Sequence, residues 1–166
     1  IVIIPEYKLA DKIVNDRGIS LASVKTIRST KDILDPRVNS LSKLNCILAC
    51  IEADELDVNE GLMLDINGNI STCNSTNFFI IRDNEVWTSK GEYCLNGVTR
   101  EKVIDICSSN DIIIKQKDFK LDEVYNCDEA FVTGTFAGII PVIQIDHIQL
   151  SGGKRGDLTF SLQNKY

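Results

Sequence analysis

Three short runs in this 166-residue chain collect the small and hydroxylated residues that can hold an anion. Asn96-Gly97-Val98-Thr99-Arg100 opens a stretch with helical periodicity. A helix start exposes unpaired N–H groups at the positive end of its dipole, which favours phosphate. Thr99 adds a hydroxyl, although a plain N-cap is the commoner use of a threonine there. Thr133-Gly134-Thr135-Phe136-Ala137-Gly138 follows an apolar strand. Small residues there either let backbone N–H groups close around an anion or make a tight turn and nothing more. Thr72-Cys73-Asn74-Ser75-Thr76-Asn77 is a polar run between two hairpins and carries little weight alone. The cysteines, at 46, 50, 73, 94, 107 and 127, never fall in C-x-x-C spacing, so no metal site is expected and buried, reduced thiols are. Cys73, inside the polar run, is the thiol whose reactivity is worth testing. His147 is the only histidine and sits in a turn-like Asp146-His147, which reads as solvated rather than catalytic.

The elements that must position these runs can be read from periodicity. Ile1 to Ile4 predicts a short strand, Tyr7 to Arg17 a helix ended by Gly18, and Ile19 to Ile27 an alternating strand. Asp35-Pro36 marks a turn. Ser40 to Leu56 is the clearest helix, with Leu41, Leu44, Leu48, Ile51 and Leu56 on its predicted buried face. Leu62–Leu64 and Asn69–Ser71 flank an Asn67-Gly68 turn, and Phe78–Arg82 and Glu85–Thr88 flank Asp83-Asn84, which predicts two hairpins. The first turn is not an EF-hand, because the twelfth loop position is Thr76. Thr99 to Ser109 predicts a helix with Val103, Ile106 and Cys107 inward. Strands follow at 112–114, 130–133 and 141–145, with helices at 121–127 and 158–166. Trp87 and the Phe78-Phe79 pair read as packing residues. Frequent hairpins with interspersed helices make the class α+β with a mixed or antiparallel sheet.

Composition sets the outer limits. At 43% hydrophobic and 25% charged, the chain is an ordinary globular sequence with a sizeable core. A net charge of −6 with no basic run argues against nucleic acid or an anionic membrane as partner. No apolar stretch is long enough to span a bilayer and no signal peptide is visible, so a cytoplasmic location is expected. The opening Ile1-Val2-Ile3-Ile4-Pro5 has no initiator methionine and reads as the interior of a larger protein.

Taken together, Gly61-Leu62-Met63-Leu64-Asp65, Asn67-Gly68-Asn69-Ile70, Ser75-Thr76-Asn77-Phe78-Phe79, Leu95-Asn96-Gly97-Val98-Thr99-Arg100, Asp128-Glu129-Ala130-Phe131-Val132-Thr133-Gly134-Thr135, Pro141-Val142 and the tail Gly153-Lys154-x-Gly156-x-x-Thr159 resemble the class IV aminotransferases. That family includes branched-chain and D-amino-acid aminotransferases and aminodeoxychorismate lyase. The resemblance runs along nearly the whole chain. It implies the D-amino-acid aminotransferase-like fold that holds pyridoxal 5′-phosphate (PLP). Residues 21–166 would be the large PLP-fold domain, and residues 1–20 the end of the small domain or the connection to it. It further implies a homodimer that moves an amino group between an amino acid and a 2-oxo acid. By position, Val98, Thr99, Gly134 and Thr135 would hold the phosphate, and Leu95 would pack on the pyridine ring.

Two positions depart from the pattern. The family's lysine, which forms the internal Schiff base and shuttles the proton, falls on Asn39 when counted back without gaps from Glu52-Ala53. An amide nitrogen is not basic and can do neither. Lys43, four residues on, could serve only if the helix began one turn later. The family's glutamate, which pairs with the protonated pyridine nitrogen, falls on Thr72. Three readings therefore stay open: a PLP enzyme (transaminase or lyase) working in an altered way, a non-canonical homologue that binds a small phosphorylated or carboxylated ligand, and a catalytically inert partner of an active subunit.

Overall fold

In the computed structural model, which describes residues 2–4 and 12–166, the strand-forming runs assemble into one mixed, nine-stranded sheet. In chain order the elements are α1 (Lys12–Arg17), β1 (Ile19–Ser23), α2 (Lys31–Leu34), α3 (Leu44–Glu55), β2 (Glu60–Leu64), β3 (Ile70–Cys73), β4 (Asn77–Arg82), β5 (Glu85–Thr88), α4 (Val98–Ser109), β6 (Ile114–Gln116), α5 (Leu121–Tyr125), β7 (Glu129–Gly134), β8 (Gly138–Ile145), β9 (Ile148–Gln149) and α6 (Asp157–Lys165). The order across the sheet is β3-β2-β1-β8-β7-β4-β5-β6, with β9 paired to β8. β1 runs parallel to β2 and to β8, and β5 to β6, while the remaining pairs are antiparallel.

The sheet curls on itself. Ser89, just past β5, donates its hydroxyl to the Ser71 carbonyl on β3 at 2.9 Å, although five strands separate the two in the order. Strand alternation then sorts side chains into two cores. Phe78 and Ile80 point inward with Leu21, Leu62, Ile70, Trp87 and Val132. Phe79 and Ile81 point outward, with Phe131 and Ile139, under Val103, Ile106 and Cys107 of α4 and Leu162 of α6. The Phe79 and Phe131 rings stack across β4 and β7, with centroids 4.7 Å apart. Asp83 and Asn84 both take positive φ (51° and 63°), which closes the β4–β5 hairpin with the twist its strands require. Glu129 at the start of β7 accepts the Leu158 and Thr159 N–H groups through its two carboxylate oxygens, so a charge on the sheet caps α6. No helix among the described residues is long and apolar enough to cross a membrane.

The elements confirm most of the periodicity, and the exceptions have physical causes. Val2 to Ile4 form no strand, Ile1 and residues 7–11 lie outside the described residues, and the first helix is seen as Lys12–Arg17. β1 stops at Ser23 instead of Ile27, because the Glu52 carboxylate takes the N–H groups of Lys25 and Thr26 and draws the chain off the ladder. A short α2 precedes the Asp35-Pro36 turn and was not signalled. β6 begins at Ile114, two residues late, because Ile112 donates its N–H to the Cys107 carbonyl and still belongs to the end of α4. Asp65 is buried and accepts from the N–H groups of Asn67 and Asn69 at 2.8 Å, so it is a turn residue with its valences filled.

The largest correction concerns α3. It begins at Leu44 instead of Ser40, and the face predicted to be buried is exposed: Leu41 fully, Leu44 at 68% and Leu48 at 46%, with Ile51 and Leu56 similar. Ala49 and Ala53 are the buried side chains. Ala49 packs with Val24 and Met63, and a Cβ placed on Gly61 would lie 2.8 Å from the Ala49 carbonyl oxygen. α3 therefore meets the sheet backbone to backbone, through its smallest residues. That leaves its large apolar side chains pointing outward.

Candidate functional site

A cavity of about 420 Å³ opens between the start of α3, the β3–β4 loop and the segment before α4. Its walls include Lys43, Cys46 and Cys50 from α3, Arg28 from the segment after β1, Thr72 through Asn77, and Leu95. Three residues expected from the sequence, Lys43, Thr72 and Leu95, are thus brought together. Asn39 is exposed outside the cavity, where its Oδ1 accepts from the Lys43 ammonium at 2.9 Å. The late start of α3 places Lys43 at the helix N-cap, facing the cavity, instead of on a continuous helical flank.

The β3–β4 loop is fixed from behind. Glu60, at the start of β2, accepts the Ser75 hydroxyl on Oε1 at 2.6 Å and the Thr76 hydroxyl on Oε2 at 2.7 Å. Burial pushes the Glu60 carboxyl above its ordinary range, and the two hydroxyls oppose that rise. Asn74 Oδ1 accepts the Gly61 N–H at 2.7 Å. Thr72 is buried, and its hydroxyl donates to the Thr76 carbonyl at 2.7 Å. Cys73 is buried as well, and burial drives its thiol well above the ordinary value. A thiol so placed is seldom in its nucleophilic thiolate form. Cys46 and Cys50 are the more accessible wall thiols, and Arg28 Nη1 lies 2.8 Å from the Cys46 sulfur. The expectation of buried thiols holds at Cys73, Cys94 and Cys107 and fails at the exposed Cys50. No cluster suited to a metal ion occurs among the described residues.

Asn77 staples the next wall. Its side-chain amide donates to the Leu95 carbonyl at 2.8 Å, and a Cβ on Gly97 would lie 2.6 Å from its Oδ1. Glycine at 97 therefore lets the chain pass Asn77 closely and enter α4 at Val98. Gly97 is the N-cap and has no side chain to satisfy the first N–H groups of α4, which stay available. Val98 is 77% exposed, and Thr99 is buried one residue on. Arg100, also buried, ties this turn to the sheet by donating from Nη2 to the Ser89 carbonyl at 2.7 Å and to Gln116 Oε1 at 3.0 Å. Thr133, cross-strand from Asn77, has a buried hydroxyl without a protein partner.

The remaining expected residues divide. Gly134, at the end of β7, packs against Thr76, because a Cβ there would lie 3.4 Å from the Thr76 methyl. Thr135 is exposed in the β7–β8 turn and lines a different cavity, of about 400 Å³, with Asn15, Arg155 and Tyr166. His147 is exposed in the β8–β9 turn, and Trp87 packs edge-on to Phe119. The sequence reading missed Glu60, Asn77 and Arg28. A period-2 pattern says which face a strand residue takes, but not that a carboxylate will find two hydroxyls 15 and 16 residues away.

Known proteins share this fold. The family profile described as amino-transferase class IV matches residues 1–145. A "Branched-chain-amino-acid aminotransferase-like protein 2" of Arabidopsis thaliana is 36% identical over 152 residues, 92% of this chain and 27% of that protein. The branched-chain amino acid aminotransferase of Escherichia coli superimposes with a TM-score of 0.87 at 27% identity, covering 91% of this chain and 51% of its own. The branched-chain aminotransferase of the thermophilic archaeon Thermoproteus uzoniensis, solved with norvaline, gives 0.85 at 32% identity over 90% of this chain and 50% of its own. A further branched-chain amino acid aminotransferase of the same fold was solved in complex with N-(5′-phosphopyridoxyl)-L-glutamate. The chain spans about half the length of these solved proteins and about a quarter of the plant relative.

Proposed function

From the premise that this chain belongs to the class IV aminotransferase family, we propose that it binds PLP in the α3–α4 cavity and serves amino-group transfer between an amino acid and a 2-oxo acid, with Lys43 as the reactive lysine. One observation carries the reading: Lys43 opens on the same cavity as Thr72 and Leu95 because α3 starts at Leu44. The cavity volume falls within the usual range for cofactor sites. The uncapped start of α4, two residues beyond the wall residue Leu95, suits a phosphate end, and Leu95 offers an apolar wall for a ring.

In this reading the N–H groups of Val98 and Thr99 hold the phosphate, with the Thr99 hydroxyl, and Gly134 approaches it from β7, while Thr135 opens on the second cavity and takes no part. Bound there, PLP supplies the electron sink that lets an amino group and a Cα proton be exchanged. Lys43 carries the proton, because it is the basic side chain at the helix N-cap facing the cavity. Asn39 holds the Lys43 ammonium at 2.9 Å and has to release it for that task. The exposed Leu44, Leu48 and Ile51 face supports a homodimer, in which a second copy covers α3. The six free thiols suit a reducing compartment such as the cytoplasm. The second reading, binding without covalent attachment, draws on the same Lys43–Asn39 bond, which takes one of the ammonium's three protons and leaves two to donate to an anion.

Borohydride reduction of the PLP-soaked chain, followed by peptide mass mapping, separates the two. A pyridoxyl adduct at Lys43 is expected, and Lys43→Ala should abolish it. Retained PLP with Lys43 unmodified sinks the transaminase assignment and leaves the binding one.

A further inference from the structure

The second cavity, of about 400 Å³, has walls unlike the rest of the surface. Among the described residues three aromatic side chains are exposed, Phe136 at 60%, Tyr166 at 50% and Phe160 at 46%, and all three line this cavity. The other described rings are buried or half-buried. Phe136 comes from the β7–β8 turn, Phe160 from α6 and Tyr166 from its C-cap. Gly138 closes that turn at φ 71°, and a Cβ there would lie 3.0 Å from Tyr166 Cε1, so glycine lets the ring lie against the turn. The cation among these rings is Arg155. Its Nη1 donates to the Asn15 carbonyl at 3.3 Å, Asp16 Oδ1 at 2.9 Å and Gln163 Oε1 at 3.0 Å. Its Cζ sits 4.4 Å from the centroid of the Phe160 ring. A guanidinium fastened at one nitrogen and laid over a ring has given up its rotamer freedom before any ligand arrives. Nε and Nη2 make no hydrogen bond among the described residues, and both reach solvent. Their N–H groups lie side by side, the spacing a carboxylate matches with two parallel bonds. Asp16 is 69% exposed and takes Nη1 alone, so it leaves that edge free.

We propose that this cavity is a second binding site, for a small carboxylate that carries an aromatic ring, with the carboxylate on the Nε–Nη2 edge of Arg155 and the ring against Phe136 and Tyr166. Each half of such a ligand answers a different wall. A bare anion would leave the exposed rings in water, and an uncharged apolar molecule would cover guanidinium N–H groups without giving them an acceptor. The cavity volume suits a ligand of this size. None of these residues is assigned to PLP, so the site stands whether or not the α3–α4 cavity holds a cofactor.

The test is calorimetric titration of the full chain with 3-phenylpropionate, with ¹H–¹⁵N spectra of the same samples to locate the site. This probe has neither amine nor ketone, so amino-group transfer cannot account for its binding. One saturable event is expected, with shifted amides confined to residues 135–138 and 155–166. Propionate, which lacks the ring, and 3-phenylpropan-1-ol, which lacks the carboxylate, should each bind at least about tenfold more weakly. Arg155→Lys keeps the charge and loses the fork, and should weaken 3-phenylpropionate by about tenfold, the size of one hydrogen bond to a charged group. Phe136→Ala should weaken it by about fivefold, the size of one ring pair. Because Phe136 is exposed in a turn, that variant carries the test if Arg155→Lys does not fold. Absence of saturable binding, shifts centred on the α3–α4 cavity, equal binding of propionate, or an affinity indifferent to both substitutions overturns the inference.

Discussion

The two walls of the cavity are built in opposite ways. On the α4 side every position is pinned from behind: Asn77 against Gly97, Arg100 against Ser89 and Gln116, Glu60 against Ser75 and Thr76. On the α3 side Lys43 is exposed, and the apolar flank of the helix faces outward. The first wall is a loop and a strand end, whose backbone cannot adjust by changing rotamer and must be held by packing. The second carries side-chain chemistry on a surface that needs another surface to close it. Of the two departures from the family pattern, Thr72 falls on the first wall and Asn39 outside the cavity, while the surplus of exposed apolar area falls on the second wall.

The contrast can be broken by substitutions. The largest effect is expected from Phe131→Ala, which removes a fully buried ring stacked on Phe79 beneath the pinned wall. Urea denaturation should show a loss of about 3–5 kcal/mol. Gly97→Ala puts a methyl against Asn77 Oδ1, where 2.6 Å is available. It should cost about 1–3 kcal/mol and reduce the thermal stabilisation by inorganic phosphate, which a merely crowded turn would not do.

Titration sharpens the comparison, because one carboxylate in each neighbourhood is shifted in an opposite direction. Burial raises Glu60, so the folded chain binds that proton more tightly than the unfolded chain does. Its contribution to stability is full below the ordinary value of 4.5 and is lost as pH rises through the raised folded value. On the α3 side, the hydrogen bonds from Arg37 lower Asp35 to about 2. Its contribution is full above the ordinary 3.8 and is lost as pH falls toward about 2. Urea midpoints followed against pH should show Glu60→Gln gaining on the wild type as pH rises above 4.5, and the deficit of Asp35→Asn closing as pH falls below 3.8. The smallest stability change is expected from Leu48→Gln, which is half exposed and should cost under about 0.5 kcal/mol in the monomer. Sedimentation should nevertheless show weaker self-association. An unchanged sedimentation profile in a chain that does associate would place the contact elsewhere.

These walls also differ in how far the sequence revealed them. The entry to α4 was legible, because Gly97-Val98-Thr99 acts locally and its residue types report backbone geometry directly, as Asp83-Asn84 does at the far end of β4. The α3 wall was misread at both its start and its facing. Leucine and isoleucine at helical spacing marked an apolar flank correctly, but spacing does not say which apolar flank meets the sheet. That was decided by Ala49 and Gly61, whose small size permits the closest approach. Glu60 and Asn77 escaped notice because their partners are distant in sequence or lie on the backbone. Thr135 was grouped with the phosphate residues by motif, yet its side chain opens on the second cavity.

The hydrogen bond between Lys43 and Asn39 makes the two positions non-independent. An Asn39→Lys substitution would delete the acceptor of the Lys43 ammonium and set a second cation four residues away, beside the first. The two substitutions would be epistatic: a lysine at 39 would be tolerated best after position 43 had lost its charge. Any mutational path from this chain to the common family arrangement therefore has a preferred order, set by a single amide oxygen.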